Sequence, residues 1–406
     1  MQYHALALAD SDVEVDVVAY AGSPPFSRVA EHPRIHLRLF GPSAFRRSHE
    51  IGEPRELAGT IGRSILQAFR LFRALGKLPE HPHLLLVQNP PGLPTIPIAL
   101  WFARTRSAKL VIDWHNSTCS MLALGLGKNH LVVRMVRICE ALFGRRADAH
   151  LCVSRAMQAD LRDNWGITDA VVFYDRPASF FAPADARTKR DLFAHVLGDS
   201  RAEAGPTLPA LVVSPTGWTR DEEMGILLDA AECFDGMIEE YENSSRSGFP
   251  GMVIAITGQG PMREAYQRRI ERLALRKVQV RTLWLSPEDY ARLLGSSDLG
   301  VCCHRSSSGL DLPMKICDLS GAGVPVCALN YGPCLGERLR HEENGLCFED
   351  ARQLANQLFV LFKDYPLKAP MLEQLRSNIA QSDRTSWFEG WNQEAWPVLL
   401  PLFRAG

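Results

Sequence analysis

The chain has no long apolar run, no excess of charge of either sign and no cysteine framework, and each absence removes a class of function. Across its 406 residues the longest apolar run is Leu93 to Ala103, interrupted by Pro94 and Pro97. A membrane span needs ~20 apolar residues, so no segment is expected to cross a bilayer. Lys plus Arg total 45 against 46 Asp plus Glu, a formal net charge of −1. Such a balance gives no global attraction to nucleic acid, and none is expected as a partner. Met1-Gln2-Tyr3-His4 lacks the basic and apolar regions of a secretory signal, which reads as a cytosolic or peripheral protein. The ten cysteines include no C-x-x-C pair, and only Cys302 and Cys303 are adjacent. That distribution fits small core residues in a reducing compartment. No G-x-x-x-x-G-K-[ST] and no G-x-S-x-G occurs, which disfavours P-loop and α/β-hydrolase chemistry. The one Asp-x-Asp, Asp10-Ser11-Asp12, and the dispersed histidines predict no metal site.

What is present is an alternation of short β-branched runs with amphipathic helical stretches, the pattern of parallel sheets covered by helices. It occurs twice. Strands are predicted at 13–20, 35–40, 84–88, 110–113, 149–153 and 171–174, with helical periodicity over 57–77 and 130–146. A Pro-, Ala- and charge-rich stretch follows, 177–209. A second series then places strands at 211–214, 253–257, 278–285, 299–302 and 324–328. The reading is two Rossmann-like domains, residues 1–180 and 205–384. Residues 385–406, with Trp387, Trp391 and Trp396, are predicted to pack back on the first domain. A Rossmann-like half opens with a strand and a Gly-rich turn, yet this chain opens with a helical run, Gln2 to Leu8. The expected first strand is therefore not found ahead of this helix.

Two facing Rossmann-like domains form the GT-B glycosyltransferase architecture, and ligands of open α/β sheets sit beyond the carboxyl ends of the strands. Candidate residues collect there. After 299–302 comes His304-Arg305-Ser306-Ser307-Ser308-Gly309-Leu310-Asp311-Leu312-Pro313-Met314-Lys315. Hydroxyls and amides opening into a helix suit a diphosphate, and Lys315 can neutralise the leaving group. Asp318, one turn further on, is placed to accept hydrogen bonds from ribose hydroxyls. Gly258 and Gly260 follow a second strand and allow a close backbone approach. Thr216 and Trp218, in Ser214 to Thr219, end a third strand and line the same site or cap a helix. In the first half a strand ends in Asp113-Trp114-His115-Asn116. His115 beside Asp113 is material for a general base, the competing reading being a structural His115 beside a capping Asn116. Gln88-Asn89-Pro90-Pro91-Gly92 is an acceptor loop or a rigid one. Arg63, Arg70, Arg73 and Lys77 flank the apolar stripe of the helix at 57–77, a pattern of membrane-surface helices and, more commonly, of solvated core helices.

Several segments together resemble the chitobiosyldiphosphodolichol beta-mannosyltransferases. They are Gln88 to Pro94, Val111 to Asn116, Tyr174 to Ala178, Ser214 to Thr219, Ile256 to Pro261 and Ser306 to Lys315, in order along nearly the whole chain. The resemblance implies a GT-B fold and inverting, β-1,4 transfer of mannose from GDP-mannose to GlcNAc2-diphosphate-dolichol in N-glycan precursor synthesis. It also implies no metal or other cofactor. The implied setting is the cytosolic face of the endoplasmic reticulum membrane, peripherally, with other early-pathway mannosyltransferases as candidate partners. Asp311 and Asp318 lie seven residues apart where retaining GT-B enzymes carry two glutamates eight apart, which agrees with inversion. The family usually has Lys where this chain has Gln259, and its members begin with an anchor, a strand and a Gly-rich loop before a run like Met1-Gln2-Tyr3-His4. The alternative is therefore a truncated, non-catalytic GT-B protein that binds nucleotide or partner glycosyltransferases.

Overall fold

The computed structural model describes residues 1–22, 24–41, 54–78, 81–198, 207–245, 249–382 and 385–404, with the side chains of 54–61, 63, 64 and 245 outside the description. Arg63 and part of the 177–209 stretch thus lie outside the described residues. The chain forms two compact units, Met1–Tyr174 with Phe388–Gly406, and Asp175–Trp387.

The first unit opens with a helix, Gln2–Asp10, whose residues 4–9 are all buried. Strands β1 (Val15–Tyr20) and β2 (Ile35–Phe40) pair in parallel with each other. Strands β3 (Leu84–Asn89), β4 (Lys109–Trp114), β5 (Ala149–Cys152) and β6 (Ala170–Val172) form a separate parallel sheet in that order. The division leaves every residue of β1 only half-buried. β4 is central and apolar on both faces, as a strand covered by helices must be. Leu110, Val111 and Ile112 are fully buried, and the polar Asp113 appears only where the strand ends. The helix Arg155–Trp165 shows how local sequence sets its limits. Ser154 caps its start by accepting from the Met157 amide at 3.0 Å, and Gly166 ends it in the left-handed conformation.

The tryptophan-rich end folds onto this unit through three short helical segments, Trp387–Gly390, Trp391–Ala395 and Trp396–Arg404. Trp391 is fully buried and stacks on Trp396 with centroids 5.2 Å apart, and Phe388 meets Tyr3 edge-on at 6.0 Å. The apolar payload of these rings explains why a terminal segment docks rather than frays.

The second unit is built on β7 (Ala210–Pro215), β8 (Met252–Thr257), β9 (Val278–Leu283), β10 (Leu299–Cys302), β11 (Val326–Leu329) and β12 (Gly345–Phe348). These make one six-stranded parallel sheet in the order β12-β11-β10-β7-β8-β9. The order reverses direction between β7 and β10, the switch point at which such sheets bind ligands. β7, β8, β10 and β11 are buried at every residue. β12 was not predicted, because its four residues are hemmed by Glu342, Glu343, Glu349 and Asp350 and carry little periodicity.

A single buried carboxylate, Asp298 at the start of β10, ties this unit together. It accepts from Lys189 Nζ at 2.7 Å, Arg376 at 3.0 Å, the Leu211 amide at 2.8 Å and Tyr365 Oη at 3.2 Å. Four segments spanning 189 to 376 converge on one charge. Removing it strands two cations near the core, so Asp298→Ala is expected to cost about 3–5 kcal/mol. The measurement is the urea midpoint of the purified chain, and an unchanged midpoint would show that the network carries no stability.

Candidate active site

In the first unit three histidine and carboxylate groups meet at the end of β4. Asp113 is 2% exposed. Its Oδ2 lies 2.9 Å from His115 Nε2 and 3.3 Å from His4 Nε2. On the far side of His4 the Trp391 indole donates to Nδ1 at 3.1 Å. That donation fixes the tautomer, leaving the His4 proton on Nε2 directed at Asp113. Burial holds His4 below its ordinary pKa, against the pull of Asp113. Burial also acts to raise Asp113, but the charge and hydrogen bonds of His115 and His4 hold it well below the usual carboxylate range. The result is a permanent carboxylate with two N–H donors, one from a buried neutral histidine and one from a quarter-exposed His115. His4 and Trp391 were missed from sequence. The one signal was a histidine inside an otherwise apolar first helix.

The neighbouring loops are locked. The Asn89 carbonyl accepts from the His115 amide at 2.9 Å, and its side chain donates to Asn116 O at 3.1 Å and to Glu140 at 3.3 Å. Glu140, fully buried, accepts from the amides of Thr118 and Cys119 at 2.9 and 3.0 Å, the N-terminus of the helix Thr118–Leu126. Burial raises its pKa despite these donors. The cap itself is Ser117, while Asn116 Oδ1 accepts from the Ser120 hydroxyl at 2.7 Å. The Gln88 to Gly92 segment is thus a rigid support beneath His115.

In the second unit the candidate residues gather at the switch point. Glu222 forms a backbone bridge to His304 beside β10. His304 stands between Asp221 at 3.2 Å and Asp311 at 3.7 Å. Burial disfavours its charge, yet the two aspartates raise it to about 9, so it is a cation at neutral pH. Lys315 pairs with the buried Glu222, which also accepts from the Thr216 hydroxyl. Burial draws Lys315 down to about 8 while Asp221 opposes the shift. Two cations therefore face three carboxylates. Lys315 is legible from sequence, whereas His304, Asp221 and Glu222 converge on it only because β7 and β10 are neighbours.

The serine turn is organised around Asp311. The hydroxyls of Ser306 and Ser308 both donate to it, the latter at 3.1 Å. They accept in turn from the amides of Gly309 at 2.8 Å and Leu310 at 3.2 Å. Ser307 is half-buried between them, and Gly309 takes the left-handed conformation. Gly258 and Gly260 are closely approached by the backbone of the neighbouring strand end. A Cβ on either would lie 1.7 Å from Thr216 O or 1.8 Å from Gly217 O, and the Gly258 amide donates to Leu283 O at 3.1 Å. These glycines let two strand ends interlock. Trp218 completes the lock. It is 1% exposed, adopts a positive φ, and donates its indole N–H to Gly258 O at 3.1 Å. Its side chain packs beneath the two strand ends. Asp318 hydrogen-bonds Tyr290 and lies near Asp175; burial, then Asp175, raise it to about 7.

Two opposite pH dependences follow. The raised pKa of His304 contributes stability that is full below about pH 6.5 and is lost as pH rises through about 9. His304→Gln should lower the melting temperature more at about pH 6 than at about pH 10. Asp318 is an acid with a raised pKa, so folding loses stability as pH rises from about 4 through about 7. Asp318→Asn should therefore raise the melting temperature by roughly 3–8 °C at about pH 8 and leave it unchanged at about pH 4. Parallel thermal melts across pH check both, and equal effects at the two ends would refute the assignments.

Among the described residues no helix is long and apolar enough to cross a membrane, and no three His, Cys, Asp or Glu side chains converge as metal ligands. The family model for the glycosyl transferase 4-like domain matches residues 2–174. The chain is 39% identical to the UDP-glycosyltransferase TURAN of Arabidopsis thaliana, over 99% of this chain and 94% of that protein. It is also 39% identical to the chitobiosyldiphosphodolichol beta-mannosyltransferase of Homo sapiens (98% and 89%), and 30% identical to that of Dictyostelium discoideum (99% and 90%). Among solved structures, Anabaena HepE in complex with UDP superposes with TM-score 0.64 at 14% identity, over 96% of this chain and 100% of that one. Sucrose-phosphate synthase of Thermosynechococcus elongatus gives 0.65 at 17%, over 99% and 92%. These structural likenesses carry the fold, which is GT-B. The sequence relatives carry the family: this chain belongs to the chitobiosyldiphosphodolichol beta-mannosyltransferases.

Proposed function

We propose that the protein moves mannose from GDP-mannose to the outer GlcNAc of GlcNAc2-diphosphate-dolichol, forming a β-1,4 bond with inversion. The observation that carries the chemistry is the ionised Asp113 aligned on His115. In a single displacement the acceptor O4 attacks C1 of mannose as its proton passes to the His115 imidazole. Asp113 stabilises the imidazolium that forms, through the hydrogen bond to Nε2. The C1–O bond to the diphosphate breaks with its electron pair, and GDP leaves. Lys315, exchanging Glu222 for the β-phosphate, neutralises the charge that develops there, with the His304 cation behind it. In this scheme those cations serve the leaving group and no metal is needed. Asp318, with a pKa near neutrality, suits ribose hydroxyls as acceptor or donor. Support for the acceptor is the name that the relatives from Homo sapiens and Dictyostelium discoideum share, and the reaction would run at the cytosolic face of the endoplasmic reticulum.

His4 is a positioning residue. His4→Phe leaves Asp113 with one donor fewer, so the carboxylate pulls harder on the His115 proton. The acid limb of the pH–rate profile should move upward and kcat fall about tenfold. His4→Gln, which keeps a donor, should restore most of both. A merely structural role would alter stability without moving the limb.

The deciding assay is transfer of labelled mannose from GDP-mannose to a GlcNAc2-diphosphate lipid, with GDP binding measured beside it. His115→Ala should lower kcat by about 10²–10⁴ with GDP affinity unchanged. Lys315→Ala should weaken GDP binding and transfer together. A second reading is favoured by the complete pairing of the donor-site cations with carboxylates: a protein that binds GDP without turnover. Binding without transfer in the unaltered chain would establish that reading and refute the first.

A further inference from the structure

The first unit carries an unpartnered apolar face that its own core does not use. On the helix Leu131–Gly144, Leu131, Met135, Ile138 and Leu142 are 45–68% exposed. Their spacing of 4, 3 and 4 residues stacks them in one stripe along the helix. The same occurs on the helix Pro54–Gly76, where Ile65, Phe69 and Phe72 point outward while Gln67 and Leu75 point to the core. Between these two helices lies Thr95–Thr105, in contact with both. Its Trp101 is 52% exposed and its ring sits 5.1 Å from that of Phe72. Three helices, the middle one in contact with both others, each turn aliphatic or aromatic side chains to water, and Phe72 and Trp101 join two of them in one patch, more than scattered exposed residues would explain.

Charge on this surface is one-sided. Between Ile65 and Arg146 the sequence has eleven Lys and Arg against three Asp and Glu, in a chain whose overall charge is −1. Of the three acids, Asp113 and Glu140 are buried, and Glu80 lies outside the described residues. Arg73, Lys77, Arg104, Arg134 and Arg137 are exposed on the same three helices or just beyond their ends. Long basic side chains around an apolar stripe can lay their stems on hydrocarbon while their heads reach phosphates.

We infer that this three-helix face docks on the surface of an anionic phospholipid bilayer. A second protein would need acidic side chains and matching apolar relief, whereas a bilayer supplies negative headgroups above hydrocarbon without shape complementarity. Docking here would set the first unit, which holds His4, Asp113 and His115, against the membrane. That last link rests on the lipid-linked acceptor proposed above; the docking itself does not.

The test is flotation of the full chain with vesicles of phosphatidylcholine alone and of phosphatidylcholine with roughly one-quarter phosphatidylserine. The protein should float with the anionic vesicles about tenfold more than with neutral ones, and high salt should reduce that binding. Leu131→Ser with Met135→Ser and Ile138→Ser should abolish flotation. Arg73→Glu with Lys77→Glu and Arg134→Glu should remove the preference for anionic lipid, and this second set keeps the test intact if the serine variant misfolds. The same number of apolar changes on the second unit, Trp284→Ser, Val360→Ser and Leu367→Ser, should leave flotation unchanged. No flotation of the unaltered chain, or equal flotation of all variants, would overturn the proposal. Mannose transfer to a water-soluble, short-chain acceptor reads the catalytic proposal separately, and should survive in the charge-swapped variant.

Discussion

A buried negative charge must find donors, and the donors that Asp113 finds set much of the first unit. The carboxylate closes β4, His4 reaches it from the first helix, and Trp391 reaches His4 from the far end of the chain. Residues separated by more than a hundred positions on one side and by nearly three hundred on the other are thereby joined through one side chain. Burying a carboxylate costs free energy unless its lone pairs are satisfied, and two histidines satisfy it here without cancelling its charge outright, since His4 is held neutral. The arrangement gives His115 a fixed ring orientation at the carboxyl edge of a rigid sheet, where a hydroxyl group can approach it.

The second unit solves the opposite electrostatic problem. It presents cations, His304 and Lys315, at the switch point of its sheet, and holds each against carboxylates rather than against solvent. The interlock of Thr216 to Trp218 with Gly258 and Gly260 makes the floor of that site rigid, because neither glycine could carry a side chain without displacing a backbone carbonyl. Rigidity below and exchangeable charge above suit a ligand that arrives with its own negative groups.

Most of the fold was legible in the sequence because parallel strands covered on both faces read as unbroken apolar runs, and eleven of the twelve strands among the described residues are such runs or half-runs. β12 was not, for the physical reason that a four-residue strand among acids has no period to detect. The candidate site was legible where polar residues abut a strand end, as with Asp113-His115 and Ser306 to Lys315. It was illegible wherever the partner is distant in sequence. Nothing near His4 announces Asp113 or Trp391, and nothing near His304 announces Asp221. The interlock of Trp218 with Gly258 and Gly260 was equally illegible, because a strand end rich in Gly looks alike whether its close neighbour is a phosphate or another loop. Topology, which decides between those, is not a local property.

The first unit is discontinuous in the chain, and this has a consequence for biosynthesis. Residues 388–404, which supply Trp391, leave the ribosome only after the whole second unit has been made. Asp298 likewise waits for Arg376. Neither unit can finish its electrostatic network during most of translation, so each must persist for a time with an incomplete partner set for a buried carboxylate. Trp391, which sets the tautomer of His4, is therefore made only after Asp113, the carboxylate it helps to satisfy, and after the second unit. A first unit without residues 388–404 would lack the indole that holds His4, so the ordering of the Asp113 cluster waits on a segment made after the second unit.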